Sequence, residues 1–244
     1  MRPDSLFLNS LTHIDKSWND FLTPHTVQLI KSIENKIIKQ DKEYTPAPDR
    51  VLHFFTLPLK KTKVIILGQD PYPQKGVATG RAFEVGTLKS WNDKFSNISL
   101  KNILRSVYYA YYNQYLKYSE IKEKIGNVFP VQSPEKLFVR WEEQGVLLLN
   151  TSFTCETGKP NSHENLWKPF TEKLLRYIHA KNTDLIWFIW GNNAKNITNG
   201  LKITSKIESM HPMMCYNKTG RAHDFLFGEV NPFYETKNLI NWLG

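Results

Sequence analysis

Asp70 closes the apolar run Val64-Ile65-Ile66-Leu67 by way of Gly68-Gln69, and three later segments repeat that form. Val146-Leu147-Leu148-Leu149 ends in Asn150, Leu185-Ile186-Trp187-Phe188-Ile189-Trp190 ends in Gly191-Asn192, and a weaker run from Ile203 through Ile207 leads to Met210-His211-Pro212. An acid, an amide, a glycine turn and an imidazole therefore stand at four strand ends, a set suited to proton transfer and to stabilising separated charge. Each taken alone has a plainer account: an Asp before Pro is a turn residue, an Asn is a cap, and a buried His is a satisfied core residue. If the four strands are neighbours in one sheet, however, their ends converge, and the crevice beyond the carboxyl ends of such strands is where chemistry collects.

The elements that must hold these ends alternate along the chain. Thr23-Pro24 opens a helix with a cap and a proline at its first position, and Val27, Ile30, Ile33 and Ile37 form its apolar stripe. Tyr44 to Pro48 is a proline loop ahead of the first strand. Ser99 is placed to cap a helix carrying Ile103, Leu104, Val107 and Tyr111, and Ser133-Pro134-Glu135 starts another with Leu137, Phe138 and Trp141 inward. Pro169 through Ala180 forms the crossover between the second and third strands, and Asn192 begins a short helix between the third and fourth. Uniformly apolar strands separated by helices predict an α/β fold: a central four-stranded parallel sheet flanked by helices, in a single domain over 1–244.

Composition bounds the partners. The chain has 244 residues, 41% of them hydrophobic, which is enough for a full core, and no Gly/Ser linker or repeat divides it. Its two cysteines, Cys155 and Cys215, are too few for a disulfide framework or a thiolate metal site, so a reducing cytoplasm is expected. The N-terminal residues show no signal-peptide pattern and no apolar run is long enough to cross a bilayer, so no membrane partner is expected. With 32 Lys and Arg against 23 Asp and Glu, the net charge of +9 favours a polyanion, with nucleic acid first among the candidates. A scattered lysine surface set by genome composition would give the same total.

Gly68-Gln69-Asp70-Pro71-Tyr72, followed by Gly80 and Ala82-Phe83, resembles the water-activating motif of the family 1 uracil-DNA glycosylases. Gly145 to Thr151 resembles the uracil-reading strand of that family, and Asn161-Ser162-His163 a segment just downstream. Trp190-Gly191 and His211-Pro212 follow in family order. Ser17-Trp18, the Pro46-Pro48 loop and Ile240-Asn241-Trp242 extend the resemblance over almost the whole chain. The resemblance implies catalytic roles for Asp70, which would orient water and offset positive charge on the sugar, and for His211, which would hydrogen-bond uracil O2 and favour departure of the base as an anion. It implies that Asn150 reads N3 and O4 of the flipped base, a pattern cytosine cannot match, that Phe83 stacks on it, that Tyr72 crowds C5 against the thymine methyl, and that backbone around Gln69 completes the pocket. It implies no metal and no organic cofactor.

The departures from the family pattern fall on DNA handling. Pro73 stands where the family usually has His. Met213-Met214-Cys215-Tyr216 stands where it has Ser-Pro-Leu, so a serine phosphate grip is absent while a methionine remains as an apolar wedge. Phe95 to Ile98 replaces a proline-rich loop before Ser99, and Gly191-Asn192 replaces a Gly-Ser turn whose phosphate contact Asn192 can still make. Two readings follow. The first is a working glycosylase on uracil-containing DNA, single- or double-stranded, with weakened duplex handling. The second is a low-activity or inactive paralogue that clamps DNA or serves as target or decoy for a DNA-mimic inhibitor protein. A monomer is expected in either case. A nucleotide-binding Rossmann protein is disfavoured because no Gly-x-Gly-x-x-Gly turn follows the first strand, and no Gly-x-Ser-x-Gly elbow supports a hydrolase triad.

Overall fold

The computed structural model describes residues 5–244. Six strands occur among them: β1 Tyr44–Thr45, β2 Val64–Gly68, β3 Val146–Asn150, β4 Cys155–Glu156, β5 Ile186–Trp190 and β6 Lys206–Ser209. Four form one sheet in the order β3-β2-β5-β6, every pair parallel, with Gly68 opposite Asn150 and Ile66 opposite Phe188. The expected sheet is the observed one. β1 and β4 make a small antiparallel pair, so the proline loop carries a strand of its own.

Alternation along the strands assigns each side chain to one of two cores. Ile66, Leu148, Phe188 and Trp190 pack on one face with the helices Ile98–Tyr112 and Pro134–Glu143, and with Phe233, Ile240 and Trp242 near the end of the chain. Ile65, Leu67, Leu147, Leu149, Trp187 and Ile189 pack on the other face with the helices Pro24–Ile38 and Glu164–Lys181. With both faces covered, β2 and β3 are buried along their whole length, which is why their sequences read as continuous apolar runs. At the N-terminus of the Pro24–Ile38 helix, Thr23 accepts the Thr26 N–H as expected, and Ile30, Ile33 and Ile37 are buried, whereas Val27 is only partly so.

Four boundaries differ from the sequence expectation. The fourth sheet strand runs from Lys206 to Ser209 rather than from Ile203 to Ile207, because pairing with β5 places Lys206 opposite Trp187 and Ser209 opposite Trp190, while Ile203 bonds back to Leu201 in a turn. Ser99 is not a helix cap: the helix begins at Ile98 with Asn97 as the capping position, which leaves Ser99 inside the first turn and buried. The crossover helix starts at Glu164 instead of Pro169. Its first turn closes on the His163 carbonyl, which accepts from Leu166 and Trp167, and the proline is carried within the helix. The short helix after β5 likewise begins at Gly191, one residue before Asn192.

Candidate active site

The carboxyl ends of β2, β3 and β6 meet around a cavity of about 200 Å³ whose walls include Gln69, Asp70, Tyr72, Phe83, Asn150 and His211. Its floor depends on Gly68. A Cβ there would lie 2.3 Å from Asn150 Oδ1 and 2.8 Å from the Ala82 methyl, so only glycine lets the Asn150 amide cross the neighbouring strand. Asn150 is 5% exposed, yet its amide makes no hydrogen bond among the described residues. A buried amide without partners is costly unless a ligand supplies them. Gly68→Ala should therefore displace the amide and lower activity at this cavity by about a hundredfold, the usual result of misplacing a contact by roughly an ångström. Substrate turnover by the folded variant is the measurement, and an unchanged rate would mean the amide has no role.

Asp70 follows two residues later at the mouth. The Gln69 carbonyl is fixed by the Ser152 N–H at 2.8 Å and the Thr151 hydroxyl at 2.9 Å, which anchors the chain immediately before it. Asp70 Oδ2 accepts the Asn161 N–H at 2.8 Å, and the Asn161 amide oxygen accepts from Gln69 Nε2. Burial raises the proton affinity of the Asp70 carboxyl, the Asn161 N–H opposes that rise, and the Glu164 carboxylate adds to it. Asp70 is thus a desolvated acid with one tethered oxygen.

His211 reaches the cavity from beyond β6. The Met213 N–H donates to its Nδ1 at 3.2 Å, and a nitrogen that accepts carries no proton, so the neutral ring holds its proton on Nε2. Burial lowers the imidazole pKa below its ordinary 6.5, which keeps the ring neutral near pH 7. The ring fits because Gly191, at φ +83°, passes close by: a Cβ there would lie 2.9 Å from His211 Cβ. Phe83 also has a positive φ, +67°, and its ring centroid lies 6.2 Å from His211 and 5.5 Å from Trp190. Strain of that kind in a side chain walling a cavity is characteristic of binding sites. The Tyr72 hydroxyl donates to the Phe83 carbonyl at 3.4 Å, and burial pushes its pKa up to about 12, so it stays protonated.

The residues assigned to DNA contact separate into two groups. Met213 and Met214 are exposed, at 54% and 49%, and Met213 lines the cavity mouth. Asn192 is exposed on an adjoining cleft shared with Gln69 and His211. Ser99 lines the cavity from a buried position, and Cys215 turns inward, its thiol donating to the Pro212 carbonyl and pushed up to about 12 by burial. Cys215 is half-buried behind the two exposed methionines.

Asp224 holds this loop together. Its buried carboxylate accepts the N–H groups of Tyr216, Leu226 and Phe227 and the Arg221 guanidinium. Burial alone would raise its pKa, but those donors outweigh burial and leave it below the ordinary carboxylate value. The stability this contributes is complete above the unfolded pKa and is lost as pH falls through the depressed folded value. Asp224→Ala should cost about 3 kcal/mol by orphaning buried donors, read as the difference in denaturant unfolding free energy at pH 7, a difference that should shrink in acid.

Sequence reasoning passed over two neighbours of the acid, the roles of Asn161 and Glu164. It also gave no place to Arg81, which pairs with Glu84 and Glu142 between the active-site cavity and a larger one of about 610 Å³. In that larger cavity Glu43 and Glu135 are paired with Lys75 and Lys89, and no strand of the four-stranded sheet ends there, which leaves the smaller cavity as the candidate reactive one. Among the described residues no cluster of three His, Cys, Asp or Glu could hold a metal ion, and no helix is long and apolar enough to cross a membrane.

Comparison with known proteins gives a consistent result. Residues 54–238 match the family model of the uracil DNA glycosylase superfamily. A uracil-DNA glycosylase of Mycolicibacterium vanbaalenii is 33% identical over 95% of this chain and 92% of its own, and a uracil-DNA glycosylase 1 of Listeria innocua is 30% identical over 93% and 97%. Among solved structures, UNG from Nitratifractor salsuginis superposes with a TM-score of 0.66 at 25% identity, covering 85% of this chain and 87% of that one. A mimivirus UNG variant in complex with UGI gives 0.64 at 25% identity, covering 84% and 72%.

Proposed function

This chain belongs to the uracil DNA glycosylase superfamily and excises uracil from DNA as a hydrolase of N-glycosyl bonds, and we propose that it does so with Asp70 and His211 as its catalytic pair. The observation that carries this assignment is the meeting of an unpartnered Asn150 amide, a desolvated Asp70 and a neutral His211 on one cavity. The flipped uracil stacks on Phe83, with Asn150 accepting from N3–H and donating to O4, and with Tyr72 beside C5. The bond from C1′ to N1 breaks with its electron pair leaving on the base. His211 Nε2–H donates to O2, where negative charge collects, and the Asp70 carboxylate faces the positive sugar. Water adds to C1′ and its proton passes to Asp70.

Protonation of Asp70 then sets the acid limb of activity. Because burial raises its pKa, the limb should lie above the ordinary carboxylate value of 3.8, while His211 remains neutral and adds no limb near 6.5. Uracil release from a single-stranded oligonucleotide, followed across pH, checks this. A rate that required a protonated imidazole and fell as pH rose through 6.5 would refute the neutral-His211 assignment.

Single-stranded DNA is the favoured substrate in this reading. Extracting a base from a duplex costs a few kcal/mol, and this mouth offers exposed methionines where the family has a serine grip. The full Ser-Pro-Leu replacement would remove the Met214 N–H bond to the His211 carbonyl, so Met213→Ala is the cleaner probe. It should lower duplex release several-fold more than single-strand release, and equal losses would refute a wedge role. A DNA-mimicking inhibitor would engage the same mouth. A cytoplasmic monomer completes the proposal, the compartment being supported by a sequence with only two cysteines.

A further inference from the structure

Among the described residues, the Asp70 carboxylate receives one hydrogen bond, from the Asn161 N–H to Oδ2 at 2.8 Å. The same residue binds the preceding one, its Oδ1 accepting from Gln69 Nε2 at 2.5 Å. Asn161 reaches both partners only because its backbone is left-handed, φ +63°, a conformation that Asn and Gly tolerate and β-branched residues do not. The segment behind it is rigidly held. The Ser162 hydroxyl accepts the Glu156 N–H at 2.7 Å, buried His163 is bonded to Thr154 and Gln40, and the Asn161 carbonyl accepts the Glu164 N–H as the next helix begins.

We propose that Asn161 is the positioning residue of this site, holding Gln69 and Asp70 together from one left-handed turn so that a single oxygen of Asp70 is left to face water. The inference rests on the reading of Asp70 as the acid. Tethering Oδ2 fixes the carboxylate plane, and the remaining oxygen is then aimed by geometry rather than by chance rotation. The other groups around Asp70 are the Glu164 carboxylate, the Cys155 thiol on β4, and Tyr72, Arg81 and His211 across the cavity. Loss of the turn can displace Glu164, whose N–H bonds to the Asn161 carbonyl, but moving that carboxylate away would lower the Asp70 pKa, so a rise reports the lost tether.

Two substitutions separate positioning from mere structure. Asn161→Gly keeps the left-handed turn and the N–H and loses only the hold on Gln69, whereas Asn161→Val cannot keep the turn. Residue 161 is exposed, so both variants should fold, Asn161→Gly with a melting temperature near wild type and Asn161→Val with a lower one because of the strained turn. The Asp70 carboxyl is titrated by carbon NMR, and the pH profile of uracil release from a single-stranded oligonucleotide is measured alongside. In Asn161→Val the Asp70 pKa and the acid limb should both rise by about one pH unit, with the neutral-pH rate down roughly tenfold. In Asn161→Gly the titration should stay at the wild-type value, with the rate down about threefold. Wild-type titration and rate in folded Asn161→Val, or equal shifts in both variants, would overturn the proposal. The NMR titration reads the tether even in a protein without turnover, so failure of the catalytic reading and failure of this one are distinguishable.

Discussion

Asp70→Asn should reduce uracil release from a single-stranded oligonucleotide by about a thousandfold or more while leaving the protein at least as stable as before. Two losses combine in the rate: the amide neither offsets positive charge on the sugar nor takes a proton from water. The expected gain or constancy in stability comes from the direction of the Asp70 shift. Burial raises its folded pKa above the unfolded value, so folding takes up a proton between the two values and the folded state is penalised in full above them. Replacing the carboxylate with an isosteric amide removes that penalty at pH 7. The Asn161 N–H keeps an acceptor in the new amide oxygen, so the loop need not move. A folded variant with a lowered melting temperature would show that the carboxylate is a structural anchor. Retention of near wild-type release would move the catalytic charge elsewhere, with Glu164, whose carboxylate acts on Asp70, as the next candidate.

The parts of this site that could be read from sequence are those fixed by local pattern. Continuous apolar runs identified β2, β3 and β5, because burial on both faces removes the need for alternation, and the residue ending each run was then at the crevice by topology. β6 was misplaced because, unlike β3 at the opposite edge, it is only partly covered, with Lys206 exposed and Ile207 half-buried, so its pattern is weak and its limits are set by pairing with β5. Pro169 was taken for a helix start because proline is favoured there, while the turn that closes upstream on His163 has no cap side chain to announce it. The tether of Asp70 lay beyond reach for a different reason. Its partner is 91 residues away and the bond uses a backbone N–H, which leaves no mark on the sequence beyond an Asn able to be left-handed. At Cys215 the sequence position gave the loop but not the inward hydrogen bond of the thiol to the Pro212 carbonyl.

His211→Leu should cost about a hundredfold to a thousandfold in uracil release, the usual consequence of removing one donor aimed at developing negative charge. The magnitude depends on the ring being neutral with its proton on Nε2. The Met213 N–H fixes that tautomer from one side and burial prevents protonation from the other, so the donor is present before the base arrives. A preorganised neutral donor strengthens its hydrogen bond as charge grows on O2, whereas an imidazolium would bind the ground state as well and penalise a buried site. Leucine fills similar space and leaves the Met213 N–H without its acceptor, a local cost at an exposed loop that should barely move the melting temperature. The decisive control is the leaving group. With 5-fluorouracil, whose anion needs less help to depart, the loss in His211→Leu should shrink markedly relative to uracil. Equal losses on both bases would show that the imidazole acts in binding or positioning the nucleotide, and that the negative charge of the departing base is stabilised by other groups of the cavity.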